Sequence, residues 1–322
     1  MYKPTTIQLL FAYVLWRIWT RTMPSRATGS VCGAVWRLAK IKTMNPRPLK
    51  VALLQMRAST EADVNLACVE AGFEDAARHH AVLLVTPEMT TVLDRRPGAL
   101  LEKSHAQADD PYLKKISALA RQYQMDVLVG SIAIQVDAQR LANRSFFINK
   151  QGEVVAHYDK IHLFDVDLGA GERYQESARF VSGQEAVVVK STHYALGMSV
   201  CYDLRFAQLY RDLALAGADI LAVPSAFTVP TGQAHWHTLL RARAIETGCF
   251  VLAPAQHGQH EDGRTTYGHS LVVNPWGEVI AEKPEGIGIL MTELDLSQVQ
   301  QARAKLPSLQ HTRPYQLRVV EA

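Results

Sequence analysis

From Lys50 onward, short β-branched apolar runs alternate with longer stretches in which apolar residues recur at helical spacing. Eleven strands are predicted: KVALLQM (50–56), AVLLVTPE (81–88), MDVLVGSIAI (125–134), RSFFINK (144–150), EVVAHYDK (153–160), EAVVVK (185–190), YALGMSVCYD (194–203), ADILAVPSAF (218–227), CFVLAPA (249–255), YGHSLVVNPWG (267–277) and IGILMTELD (287–295). The helical period predicts five helices at about 61–80, 109–123, 205–216, 232–247 and 295–305. Asn, Gly and Pro in NKQGEV and NPWGEV supply the backbone angles of tight reversals, so both read as hairpin turns. Strands joined by both helices and hairpins make an α/β protein with mixed sheets, and so many strands exceed one three-layer sheet. The expectation is a four-layer α-β-β-α sandwich, two mixed sheets with outer helices. No linker or repeat divides residues 50–310, so one domain is expected.

Composition narrows the class. With 48% hydrophobic and 20% charged residues, the chain can bury a large core and is neither a disordered tail nor a membrane bundle. The formal charge of +3 hides a split, because residues 1–60 hold ten Lys or Arg and no acid. The remainder has 24 basic against 31 acidic residues, a net of −7, which gives no electrostatic reason for a nucleic-acid partner. Four widely spaced cysteines without a Cys-x-x-Cys pair argue against a disulfide scaffold or zinc knuckle and fit a reducing compartment. The apolar stretch 7–19 is interrupted by Gln8 and Arg17 and is shorter than the ~20 residues a membrane span needs. The Arg-rich, acid-free head is expected to be a disordered extension over 1–43, with Met44 as the alternative start, or a mitochondrial-type transit peptide. The folded domain is then 44–322, cytoplasmic unless the head is a transit peptide.

Three residue types mark candidate chemistry. Cys201 in YALGMSVCYDLRF sits where a buried strand turns into a helix, and a helix N-terminus there would favour a thiolate. Glu88 ends the apolar run LLVTPE, where partial burial would raise its pKa toward general-base duty. Lys160 ends VVAHYDK, and a fixed cation there could hold a developing oxyanion. Each also has a plain structural reading: an inert core thiol, a solvated strand end and a snorkelling edge lysine. A base, a cation and a thiol at the ends of three separate strands are far more specific together.

In order and spacing, these segments resemble the nitrilase or carbon-nitrogen hydrolase superfamily, from about Lys50 to Pro314. The resemblance implies a Glu-Lys-Cys triad at Glu88, Lys160 and Cys201, with a second glutamate, Glu176, orienting the lysine. Within it, TGQAHWHTLLRARAIETGCFVLAPAQHG (231–258), YGHSLVVNPWGEV (267–279) and LPSLQHTRP (306–314) resemble the deaminated glutathione amidase branch, with omega-amidases the nearest rival. Ala207 and Gln208 depart from the usual Pro-Glu, and His237 from the usual Glu after His-Trp.

The implied activity is hydrolysis of a small carboxylate-bearing amide. Glu88 would deprotonate Cys201, and Lys160 with the Tyr202 N–H would hold the oxyanion. Glu88 would then protonate departing ammonia and activate water on the thioester. No metal or organic cofactor is required. Arg173 and Arg205 are candidates for the substrate carboxylate, and Ser225, Phe227 and Thr228 for the pocket wall. The resemblance also implies a homodimer or higher oligomer, and the helix bearing Arg241, Arg243 and Glu246 would serve packing or that interface. A serine hydrolase is disfavoured by the lack of Gly-x-Ser-x-Gly, and GAGERY (169–174) lacks a dinucleotide loop's third glycine. The pairs His235/His237 and His257/His260 lack a zincin's carboxylate pattern, and sequence cannot set His162 or His193 beside Cys201 for a Cys-His enzyme. A non-catalytic nitrilase-like binding protein remains the reading from another class.

Overall fold

The structure, a computed structural model, describes residues 46–169 and 173–321. The basic head and Met44 lie outside the described residues. In chain order the elements are β1 (Pro48–Gln55), α1 (Ala62–Arg78), β2 (Leu83–Val85), α2 (Ala99–Lys103), α3 (Pro111–Tyr123), β3 (Asp126–Gln135), β4 (Leu141–Ile148), β5 (Val154–Asp159), β6 (Asp165–Asp167), β7 (Arg173–Gln175) and β8 (Phe180–Val181). There follow β9 (Val188–Lys190), β10 (Ala195–Met198), α4 (Ala207–Leu215), β11 (Ile220–Ala222), α5 (Val229–Thr247), β12 (Phe250–Ala253), β13 (His257–Gln259), β14 (Thr265–Tyr267), β15 (Ser270–Val273), β16 (Val279–Lys283), β17 (Gly288–Asp295) and α6 (Ser297–Lys305).

Two large mixed sheets form, as the pattern predicts. One runs β17-β1-β2-β3-β4-β5, with β8 also paired to β4, and the other β16-β15-β12-β11-β10-β9. In each, three central strands are parallel (β1, β2, β3 and β10, β11, β12), and antiparallel strands flank them. The alternation along β1 explains its continuous apolar run. Leu49, Val51 and Leu53 enter the core shared with the second sheet, while Ala52 and Leu54 turn to the opposite face. There they meet Val69, Phe73 and Ala76 of α1 and Leu113, Ile116 and Ala120 of α3, spaced as one helical face. Leu209 and Leu213 of α4 and Trp236, Leu240 and Ala244 of α5 pack on the second sheet in the same way. The result is the expected α-β-β-α layering.

Both predicted hairpin turns are present. Asn149 closes one and Asn274 the other, each N–H donating to the carbonyl four residues on, with Gly152 and Gly277 at φ 81° and 86°. The second turn leads into β16, a half-exposed strand absent from the predicted set. The short pieces α2, β6, β7, β8, β13 and β14 were equally invisible, since two to five residues carry no period. Helix α5 begins at Val229 rather than residue 232, because Pro230 lies in its first turn, where no N–H is needed. The predicted helix 205–216 is instead a 3₁₀ turn at Cys201–Arg205 followed by α4.

Candidate active site

Glu88, Lys160 and Cys201 follow the carboxyl ends of β2, β5 and β10, and converge where the two sheets meet. Glu88 is 5% exposed and lies three residues past β2, in a turn whose next residue, Met89, is left-handed (φ 58°). Its Oε1 accepts from Lys160 Nζ at 2.8 Å and Asn143 Nδ2 at 3.0 Å, and its Oε2 accepts from the Ala226 N–H at 2.9 Å. Lys160, 2% exposed, also donates to both oxygens of Glu176, at 2.9 and 3.2 Å. Glu176 is fixed in turn by Asn143 Nδ2 (2.9 Å) and the Phe164 N–H (2.7 Å). An ammonium thus sits between two carboxylates that share one amide.

This charge balance corrects the expected pKa of Glu88. Burial alone would raise it, but the charge and hydrogen bond of Lys160 outweigh burial and hold the carboxyl below its ordinary value. Burial likewise works against the Lys160 ammonium, and Glu176 and Glu88 overcome it, pushing that pKa well up. Cys201 goes the other way from expectation. Burial and the adjacent Glu88 charge push the thiol well above its ordinary value, against the pull of Lys160. The α-helix that was to favour a thiolate starts only at Ala207. At rest the pair is therefore carboxylate and thiol.

The Cys201 backbone is left-handed (φ 49°), a conformation that costs a non-glycine residue on the order of 1 kcal/mol. Its N–H donates to the Pro224 carbonyl at 2.9 Å. Buried Asp203 accepts from the Val200 N–H, the Tyr158 hydroxyl and the His162 N–H and ring, at 2.7 to 3.0 Å. Arg243 of α5 donates twice to the Leu204 carbonyl, at 2.9 and 3.1 Å, so this arginine packs against the thiol's own turn. His162 bonds Asp203 through Nδ1, stacks on Phe206 at 3.5 Å, and does not line the cavity that Cys201 opens onto.

A cavity of about 310 Å³ opens onto Glu88, Lys160 and Cys201. Of the other predicted residues, Glu176, Tyr202, Arg173, Arg205, Phe227 and Thr228 line it. Ser225 does not. It is fully buried, and its hydroxyl donates to the Val223 carbonyl (3.0 Å), because the strand continuation 223–225 pairs with the chain beside Ala255. Arg205 lies over the Tyr202 and Phe227 rings, at 5.7 and 5.6 Å. Three further arginines, Arg95, Arg179 and Arg264, also face the cavity. They come from loops and a turn, and no period or motif announces them. Asn143 did leave a signal: a lone amide inside the apolar strand β4 must find a buried partner. Among the described residues, the group of three side chains arranged to hold a metal ion, His237, His269 and Glu282, does not line this cavity.

Two helix-backed mixed sheets with a glutamate, a lysine and a cysteine gathered at their strand ends define a carbon-nitrogen hydrolase. The chain belongs to that family, Carbon-nitrogen hydrolase, which it matches over residues 50–304. Among curated relatives, the deaminated glutathione amidase of Synechocystis sp. is 38% identical over 270 residues, 82% of this chain and 98% of that protein. The deaminated glutathione amidase of Mus musculus is 39% identical over 269 residues, 82% of this chain and 83% of that protein. The crystal structure of the Caenorhabditis elegans NitFhit protein superposes with a TM-score of 0.78 at 35% identity, covering 84% of this chain and 66% of that one.

Proposed function

We propose that the protein is an amidase that cleaves deaminated glutathione through a thioester on Cys201, with Met44 to Ala322 as its catalytic domain. The observation that carries this reading is the buried Glu88–Lys160–Glu176 set beside the Cys201 thiol, at a cavity lined by arginines. Deaminated glutathione has a carboxylate at each end and two amides between, and guanidinium groups match carboxylates in charge and shape. Arg173 and Arg205 are assigned to these carboxylates, and Phe227 and Thr228 to the wall.

Glu88, ionised beside Lys160, takes the proton from the Cys201 thiol as Sγ attacks the amide carbonyl. Lys160 and the Tyr202 N–H hold the resulting oxyanion. At rest Lys160 donates to both glutamates. Protonation of Glu88 weakens one of those bonds and frees an ammonium proton for the oxyanion, while Glu176 keeps the lysine charged. Glu88 then passes its proton to the leaving amine. On this substrate the leaving amine is that of a dipeptide, in place of the ammonia expected from the sequence. Water deprotonated by Glu88 attacks the thioester and releases the keto acid and the thiol.

The test is kcat/KM on deaminated glutathione against that on α-ketoglutaramate, with intact-mass detection of the acylated enzyme. Cys201→Ala should remove both turnover and adduct. A preference for α-ketoglutaramate would make the protein an omega-amidase, and no turnover on either amide would leave a binding protein. We also read it as a cytoplasmic homodimer or larger oligomer that acts on a small molecule and takes no nucleic-acid partner. The acidic body supports the last point, and no helix of the described residues is long and apolar enough to cross a membrane. Light scattering and cell fractionation test the rest.

A further inference from the structure

Three half-buried side chains from separate elements meet away from the Cys201 cavity: His237 of α5, Glu282 of β16, and His269 of the turn between β14 and β15. Their ligand atoms lie within 4.8 Å of one another. Both imidazoles face the same oxygen, with His237 Nε2 at 2.9 Å and His269 Nδ1 at 2.7 Å from Glu282 Oε1.

The backbone fixes this arrangement rather than leaving it to surface rotamers. His269 is left-handed (φ 54°), a conformation that costs on the order of 1 kcal/mol without glycine. It is held there by its carbonyl, which accepts from Trp236 Nε1 at 2.9 Å, and by its N–H, which donates to the Pro284 carbonyl at 3.3 Å. Its ring stacks on Tyr267, with centroids 4.1 Å apart. Glu282 is placed by its register opposite Leu271 in the β15–β16 pair. Together the three make a set of two imidazoles and one carboxylate.

We propose that His237, His269 and Glu282 bind a divalent transition-metal ion of the imidazole-preferring kind, with zinc as its representative. Two nitrogens and one carboxylate oxygen form a ligand set that such ions accept, with the remaining positions left to water. A single oxygen donor is too few for calcium or magnesium. At metal–ligand distances of about 2.0–2.1 Å, tetrahedral ligands sit roughly 3.3 Å apart, so the present contacts need widen only by about half an ångström. Each imidazole moves its proton to its other ring nitrogen and turns a lone pair to the ion. The ion would tie α5, whose first turn carries Thr231 of the cavity wall, to the β15–β16 hairpin.

The experiment titrates the full-length, chelator-treated protein with Co²⁺ and then displaces the Co²⁺ with Zn²⁺. The expected result is one Co²⁺ per chain, visible ligand-field absorption without thiolate charge transfer, and a melting temperature raised by Zn²⁺. Loss of a residue that merely supports a ligand weakens metal binding by about 10–100-fold, so His237→Gln and Glu282→Gln, each removing a ligand, should cost at least about 100-fold. Both variants should retain the wild-type circular dichroism and amide turnover. Absence of saturable binding to the wild type overturns the proposal, whatever the variants do. Thiolate charge transfer, or undiminished binding in both variants, overturns it as well, since the ion would then sit elsewhere.

Discussion

Lys160→Met separates the electrostatic from the packing role of the lysine. The methionine fills much of the same space, but two carboxylates lose the cation they share, with side-chain exposures of only 6% for Glu88 and 12% for Glu176. Breaking a buried ion pair from one side costs about 3–5 kcal/mol, and that is the loss expected at pH 7. The sign of its pH dependence makes the test sharper. In the wild type, Glu88 has a folded pKa below its unfolded value, so its contribution is present above the ordinary carboxylate value of about 4.3 and is lost as pH falls through the folded value. In the variant, burial is opposed only by hydrogen bonds such as those from Asn143 and the Ala226 N–H, and without the charge of Lys160 the folded pKa should rise above the unfolded one. The penalty is then complete above that raised value and disappears as pH falls toward about 4.3. Urea unfolding of both proteins between pH 7 and pH 5 should show the stability gap narrowing on acidification. A gap below about 1 kcal/mol at pH 7, or one that widens toward pH 5, would refute the account of Lys160 as the counter-charge of a buried pair. Adding Glu88→Gln and Glu176→Gln to Lys160→Met should restore most of the stability and none of the turnover.

Other outcomes follow from the same contacts. Gly130→Ala would place a Cβ 2.1 Å from the Thr86 carbonyl oxygen and 2.3 Å from that of Pro87, displacing the segment that carries Glu88. A loss of about 3 kcal/mol and a marked fall in kcat are expected from thermal melts and kinetics. Asn143→Leu removes a donor from both Glu88 and Glu176, costing about 1.5–3 kcal/mol for hydrogen bonds to charged groups and lowering kcat more than it changes KM. The acid limb of kcat/KM should lie below the ordinary glutamate value of about 4.3, because Lys160 holds Glu88 ionised. A limb in the range of a buried, raised carboxyl would show that desolvation prevails instead. Iodoacetamide should label Cys201 slowly at neutral pH in the free enzyme, since its thiol is held protonated.

The sequence by itself determined the layers. The apolar run of β1 is continuous because both of its faces are buried, and the 3.6-residue rows of α1, α3, α4 and α5 have one buried side each. It also singled out Glu88, Lys160 and Cys201, which the fold brings to one cavity, because a glutamate and a lysine at the ends of apolar strands are costly unless they meet. Period and spacing could not reach quantities that depend on who the neighbours are. The pKa values of Glu88 and Cys201 run opposite to a strand-by-strand expectation: the charge of Lys160, 72 residues away in the chain, overcomes burial at Glu88, while burial and the distant Glu88 charge together raise the Cys201 thiol. Asn143 acquires its place only when β4 brings it between two glutamates, and Ser225 loses its place because its strand turns the hydroxyl inward. The arginines of the cavity wall and the His237–His269–Glu282 cluster come from loops, a helix and a sheet edge that share no local pattern. Local spacing encodes which face of an element is apolar. The field at a buried atom is a sum over groups that only the folded chain brings within a few ångströms.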